Sequence, residues 1–246
     1  MNFDREIAFK GIRALYGEDG FKKLQHAKVT VVGIGGVGSW CAESLCRSGI
    51  GSLVLIDGDN IELSNLNRQL HTNAHNEGLA KVDVMKNHLL SLNPELDITI
   101  HHTLLSENNI GNYFGNISGY VCECIDDIEA KAYLINYLHE RKIDFIVAGG
   151  AGGRKDPAKL QIGNILSAKG DALIKKVRQT LKKKYGLGLG PHDLDIACTF
   201  SSEKPTYSSK QDFLENNLPA FGASMCVTAC SGLLMSSWIL NKIVRS

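Results

Sequence analysis

Gly33-Ile34-Gly35-Gly36-Val37-Gly38 constrains this chain more than any other stretch. It follows the apolar run Val29 to Val32 and opens the segment Val37 to Cys46, whose residues suit a helix. Glycines between a buried strand and a helix permit a tight turn, and they let backbone N–H groups face a phosphate. The bland alternative is that they only let the helix pack close to the strand. Asp57 decides between the two, because it stands 19 residues beyond Gly38, at the end of the next apolar run, Leu53 to Ile56. A carboxylate there accepts hydrogen bonds from ribose hydroxyls. Gly33, Gly35, Gly36, Gly38 and Asp57 are therefore expected to bind a nucleotide.

The same alternation continues downstream. Leu79 to Leu92 has helical spacing and stops before Pro94, Ile98 to His101 and Tyr120 to Ile125 read as strands, and Ile128 to Arg141 reads as a helix. Ile143 to Ala148 is a further strand, ending in Gly149 and Gly150. Strands alternating with helices predict an α/β fold with a Rossmann-like, doubly wound and mainly parallel sheet. Beyond Gly153 the pattern loosens into a C-terminal extension. Leu160 to Ile165 is expected to be an edge strand, Asp171 to Tyr185 a helix with an acidic cap, and Asp193 to Ser202 a strand. Ser201 to Asn217 reads as a loop, and Met225 to Val244 as a buried terminal helix whose serines, Asn241 and Lys242 argue against a membrane span. No linker separates two domains.

Composition excludes several classes. The 27 basic and 26 acidic residues leave a net charge of +1, so no whole-molecule field advertises nucleic acid or a membrane. Seven cysteines are an odd set, no pair has C-x-x-C spacing, and Met1 to Lys10 is polar and charged. Reduced thiols in a cytosolic protein are expected, without a zinc ribbon or redox pair. Cys226 and Cys230, four apart on a helix, read as core packing.

The glycine loop leaves the nucleotide open, and a hydride-transferring dehydrogenase fits it as well. The residues after Asp57 separate the two readings. Asp57-Gly58-Asp59 leads to Asn65, Arg68 and then Lys81. A dehydrogenase does not need an Arg and a Lys aimed back at the phosphates. An adenylating enzyme does, because pyrophosphate leaves while charge builds on the α-phosphate. Asp126, after the strand Tyr120 to Ile125, stands where a carboxylate can hold Mg²⁺ between phosphates. Asp59 fits an Asx-type support of the loop as well as a ligand role.

These motifs (G-I-G-G-V-G, D-G-D-N-I-E-L-S-N-L-N-R-Q, Lys81 and C-I-D-D) resemble the ubiquitin-activating superfamily, which includes the ThiF and MoeB proteins. The resemblance implies adenylation of a carboxylate with ATP and Mg²⁺. It assigns Asp57 to ribose, Asn65, Arg68 and Lys81 to the phosphates, and Asp126 to the metal and catalysis. It also implies a homodimer in which an arginine near the N-terminus reaches the partner's ATP; Arg13 is the first candidate and Arg5 the second. On this basis residues 1–246 form one adenylating domain, with a nucleotide-binding core at 28–150 and a C-terminal portion at 151–246.

Paired C-x-x-C motifs and a crossover cysteine, which mark the carrier-activating members, are absent. A narrower set resembles the tRNA threonylcarbamoyladenosine dehydratases. It comprises Ala14 to Glu18, Gly78 to Lys81, Gly149 to Gly153 with Asp156-Pro157, Asp171 to Leu173 with Lys176 to Arg178, Cys198 to Glu203, and Phe221 to Ser224. That resemblance implies a tRNA carrying threonylcarbamoyladenosine as the substrate, and it admits a cysteine desulfurase sulfur-acceptor system as a further partner. The reaction that the resemblance implies adenylates the threonyl carboxylate, after which a tethered ureido nitrogen displaces AMP and closes the ring without an enzymic thiol. Ten basic residues against two acidic ones between Arg154 and Lys184 match a tRNA-facing helix. Adenylation of the C-terminus of a ubiquitin-like sulfur carrier is the alternative.

Overall fold

The computed structural model describes residues 3–114, 119–188, 194–216 and 218–246. Its strands are β1 (Lys28–Val32), β2 (Ser52–Ile56), β3 (Asp97–His101), β4 (Tyr120–Glu123), β5 (Asp144–Ala148), β6 (Leu160–Asn164) and β7 (Ala197–Ser201). They form one sheet in the order β3-β2-β1-β4-β5-β7-β6. Every pairing is parallel except that of the edge strand β6 with β7. The helices are α1 (Arg5–Ala8), α2 (Lys10–His26), α3 (Gly38–Arg47), α4 (Lys81–Leu92), α5 (Ile110–Phe114), α6 (Ile128–Glu140), α7 (Ala172–Tyr185), α8 (Lys210–Glu215) and α9 (Met225–Arg245).

Side chains alternate across a strand, so a fully covered sheet needs apolar residues on both faces. Val29 and Val31 of β1 and Leu53 and Leu55 of β2 join one core, with residues of α2, α3, α4 and α9. Val32, Val54 and Ile56 enter the other, with residues of α5, α6 and α7. β1 lies between β2 and β4, so the strand order reverses there, and a crevice opens beyond the carboxyl ends of β1 and β4.

The expected strands and the long helices are present, with boundaries moved by a few residues. Three segments differ. The N-terminal stretch, unassigned from sequence, holds α1 and α2. α2 bends at Gly17, whose φ is +74°, and its glycines interrupt any continuous apolar stripe. The expected loop from Ser201 to Asn217 contains α8, capped by the Ser209 hydroxyl on the Asp212 N–H at 3.0 Å; Asn217 itself lies outside the described residues. The expected strand from Asp193 is seen only over β7, Asp193 lying outside the described residues. α9 has the length and composition to cross a membrane, yet Met235, Ile239, Leu240 and Ile243 are buried in one core with residues of the sheet and α3. Cys226 is exposed and Cys230 half-buried, which corrects the expectation that both pack in the core: α9 buries the face bearing Val227 and Ser231 instead.

Candidate active site

The glycine loop leaves β1 with Gly33 at φ +86°, where a Cβ would lie 2.8 Å from the Cys124 carbonyl oxygen. A Cβ on Gly38 would lie 1.8 Å from the Gly33 carbonyl oxygen. The turn from β1 into α3 is thus open to glycine alone at both ends. Asp57 follows β2 and is buried against this loop. Its carboxylate accepts the Ile34 N–H at 2.5 Å and the Asp59 N–H at 2.8 Å. Burial pushes its pKa up, opposed by those N–H groups and by Lys81. A half-satisfied, desolvated carboxylate accepts further donors strongly, which suits ribose hydroxyls.

The loop beyond Asp57 folds back over the glycines. Asn65 is buried and holds its own turn, its Oδ1 accepting the Glu62 N–H at 3.3 Å. The Arg68 stem lies 3.3 Å from where a Gly36 Cβ would stand. The Trp40 indole N–H donates to the Arg68 carbonyl at 3.0 Å, and the Arg68 guanidinium donates to the Ser64 carbonyl and Asn67 Oδ1, both at 2.9 Å. Two donors are therefore engaged through one guanidinium nitrogen, leaving the others for an anion above the loop. Lys81 is buried, and its Nζ meets Asp59 Oδ2 at 2.7 Å, so Asp59 anchors the lysine as well as turning the loop. Asp126 lies three residues past the end of β4 and is exposed, with no hydrogen-bond or ion-pair partner among the described residues. A free carboxylate at the switch point suits Mg²⁺, which a protein commonly holds by one or two carboxylates together with substrate phosphates. No cluster of three His, Cys, Asp or Glu forms an all-protein metal cage among the described residues.

Arg13 and Arg5 are not brought to this crevice. Arg13 pairs with Glu6 and with Glu18, the latter at 2.6 Å, and Arg5 pairs with Glu95 at 2.7 Å. On the wall facing β5 the sequence shows a glycine run, Gly149 to Gly153, and Asp171 as a helix cap, and the structure joins the two. Asp171 caps α7 through the Ile174 N–H at 3.0 Å and also accepts the Gly150 N–H at 2.8 Å. Arg154, counted in the basic run, is buried beside it, bonded to the Gly150 carbonyl and 3.7 Å from Asp171. The segment Ala220 to Ser224 joins this wall to the loop: Gly153 N–H donates to the Gly222 carbonyl at 2.7 Å, and Asn67 Nδ2 donates to the Ala223 carbonyl at 2.8 Å. Nothing in the spacing of Asn67, Trp40 or Asp171 marks these contacts, because each joins residues distant in sequence.

His71 lies under the same loop, buried, with neither ring nitrogen partnered among the described residues. Burial, with Lys81 and His88 adding repulsion, lowers its pKa to about 4. An unfolded histidine titrates near 6.5, so unfolding takes up a proton between these values. Stability is then full above about pH 6.5 and falls as the pH drops toward 4, by about 2 kcal/mol from this residue at pH 5. Urea unfolding at pH 7 and pH 5 checks this: the difference should shrink by that amount in His71→Leu. An equal difference in both proteins would assign the acid sensitivity elsewhere.

A model described as the ThiF family matches residues 4–163, and the chain belongs to that family. Within it, similarity over nearly the whole chain is to tRNA threonylcarbamoyladenosine dehydratases. The Haemophilus influenzae enzyme of that name is 37% identical, the match covering 98% of this chain and 94% of that protein. The Escherichia coli enzyme is 35% identical, over 96% and 93%. The crystal structure of the E. coli enzyme, TcdA, in complex with AMP superimposes with a TM-score of 0.92, covering 100% of this chain and 98% of that one at 35% identity. Its complex with ATP gives 0.91 with the same coverage and identity.

Proposed function

We propose that this protein is an ATP-dependent tRNA threonylcarbamoyladenosine dehydratase. It adenylates the threonyl carboxylate of the modified adenosine and then closes the ring with release of AMP. The observation that carries the reading is the nearly full-length likeness to dehydratases crystallised with AMP and ATP. The glycine loop, Asp57, Arg68 and Lys81 supply a nucleotide site in the crevice where that fold binds one.

The chemistry has two steps. A threonyl carboxylate oxygen attacks the α-phosphorus and pyrophosphate leaves. The ureido oxygen or nitrogen is already tethered to the same residue, so the second attack, on the activated carboxyl carbon, is intramolecular; we assign it to nitrogen, with AMP leaving and one water lost overall. Asp57 holds the ribose and the loop N–H groups face the phosphates. Arg68 and Lys81 oppose the charge that develops as pyrophosphate departs. Asp126 holds Mg²⁺, which when bound neutralises phosphate charge and orients the leaving group. Asn65 acts by keeping the Arg68 turn in shape. The protein works in the cytoplasm as a homodimer, and Arg13 reaches the partner's nucleotide by exchanging its Glu6 and Glu18 pairs for phosphate.

The tRNA meets α7. Of the ten basic residues between Arg154 and Lys184, Arg154 is buried, Lys159 pairs with Asp156, Lys184 with Glu129, and Arg178 bonds the Leu166 carbonyl. Lys175, Lys176, Lys182 and Lys183 are exposed with no acidic partner among the described residues. Lys175 and Lys182, like Lys176 and Lys183, stand two helical turns apart, so the four make one patch. Reversing all four to Glu should weaken tRNA binding and reduce the log–log salt slope by about one for each phosphate no longer neutralised. Titration of labelled tRNA at several salt concentrations measures both, and an unchanged affinity would place the RNA elsewhere.

The deciding experiment is AMP release from ATP and Mg²⁺ with and without threonylcarbamoyladenosine-bearing tRNA, followed by mass analysis of the nucleoside. Stimulated AMP formation with loss of one water is the expected result. AMP formation indifferent to that tRNA, but stimulated by a ubiquitin-like carrier, would overturn the acceptor while keeping the nucleotide site.

A further inference from the structure

Glu123, the last residue of β4, and Lys131, in the first turns of α6, are both fully buried, and their charged ends meet at 2.5 Å. What they hold is a single residue. Glu123 Oε1 accepts the Ile125 N–H at 2.8 Å, and Lys131 Nζ donates to the Ile125 carbonyl at 2.8 Å. That carbonyl belongs to the planar peptide group leading into Asp126, so its orientation fixes where Asp126 starts. On one side, Cys124 N–H bonds the Val32 carbonyl at 2.7 Å and continues the sheet. On the other, Asp127 caps α6 through the Ala130 N–H at 2.8 Å. Among the described residues the ion pair is the only hydrogen-bonded hold on the backbone of the intervening residues, Ile125 and Asp126.

A buried ion pair is costly to desolvate, and an apolar pair of similar volume commonly serves stability as well or better. Packing alone therefore gives no reason for charge at these positions. The hydrogen bonds to both sides of Ile125 do give one, because leucine and methionine cannot make them. We propose that Glu123 and Lys131 are positioning residues: the pair clamps the Ile125 backbone and thereby aims the Asp126 carboxylate at the nucleotide's metal. This rests on the assignment of Asp126 to the metal made above.

The test is the charge-free double variant Glu123→Leu/Lys131→Met, compared with wild type and with Asp126→Ala. The double variant should stay folded, because the cost of the lost bonds to Ile125 is offset by relief of the buried charges, while hydrogen exchange at the Ile125 amide quickens at least tenfold. Binding of Mn²⁺, followed by electron paramagnetic resonance in the presence of α,β-methylene-ATP, should weaken by about tenfold, in the range seen when partners of a metal ligand are removed. Unchanged exchange at Ile125, or unchanged Mn²⁺ affinity in a variant whose Asp126→Ala counterpart loses it, overturns the positioning role alone. Unchanged Mn²⁺ affinity in Asp126→Ala overturns the metal assignment and the inference with it. If the double variant does not fold, Glu123→Gln replaces it: the side-chain shape is kept, the charge holding Lys131 is gone, and the same two losses are expected in smaller degree. Wild-type values in that variant also overturn the proposal.

Discussion

Asp126→Ala should cut tRNA-dependent AMP formation by about 10²- to 10³-fold, the usual cost of removing one element of transition-state charge stabilisation. The residue is exposed at the switch point, and no protein group among those described bonds to its carboxylate. Its removal therefore takes away little that folding uses, and the thermal midpoint should move by no more than a degree or two. Binding of tRNA, assigned to the lysines of α7, should persist. Single-turnover AMP release, a melting curve and a tRNA titration on one preparation separate the three quantities. Near-normal AMP release would remove Asp126 from the chemistry; a collapsed melting curve would make its role one of fold.

Gly38→Ala should do the opposite, weakening the fold and the nucleotide site together. The new Cβ falls 1.8 Å from the Gly33 carbonyl oxygen and 3.3 Å from the Cys124 Cβ, and backbone cannot yield as a flexible side chain can. Opening the turn is expected to cost about 3 kcal/mol, a fall of roughly 6–12 °C in the midpoint for a chain of this size. ATP affinity should drop at least tenfold, since the loop N–H groups lose their common direction. Gly35→Ala is the control. Its Cβ meets nothing nearer than Gln69 Nε2 at 3.9 Å, so stability should hold while a phosphate approaching that face is displaced. Calorimetry of both variants with ATP checks this. A Gly38→Ala protein as stable as wild type would mean that the turn tolerates a side chain.

Much of this was legible in the sequence because the information was local. The turn glycines, Asp57 and Asp126 all follow directly on apolar runs, and in a parallel sheet every such position lies at the same carboxyl edge. The family resemblance then supplied the order of roles along the loop. Contacts between distant segments were not legible. The clamp of Glu123 and Lys131 on Ile125 looks, in sequence, like an acid and a base near a strand end, with no sign that both are buried. Arg154 counted as a surface charge until the glycine wall was seen to close over it, and Cys226 was read on the wrong face because a helix rich in small residues gives a weak stripe. α1 and α2 went unread for the same reason, their glycines and charges leaving no clean period.

The outer strands carry a consequence of another kind. β3 and β6 are each five residues long, and β6 is bounded by 3₁₀ turns at Pro157–Lys159 and Ile165–Ser167. An incoming extended chain thus finds few open backbone groups to pair with at either border, and on the β6 side the register runs against the five parallel pairings behind it. The architecture that gathers the site at one edge also closes the sheet to runaway strand addition, a safeguard against aggregation that is independent of catalysis.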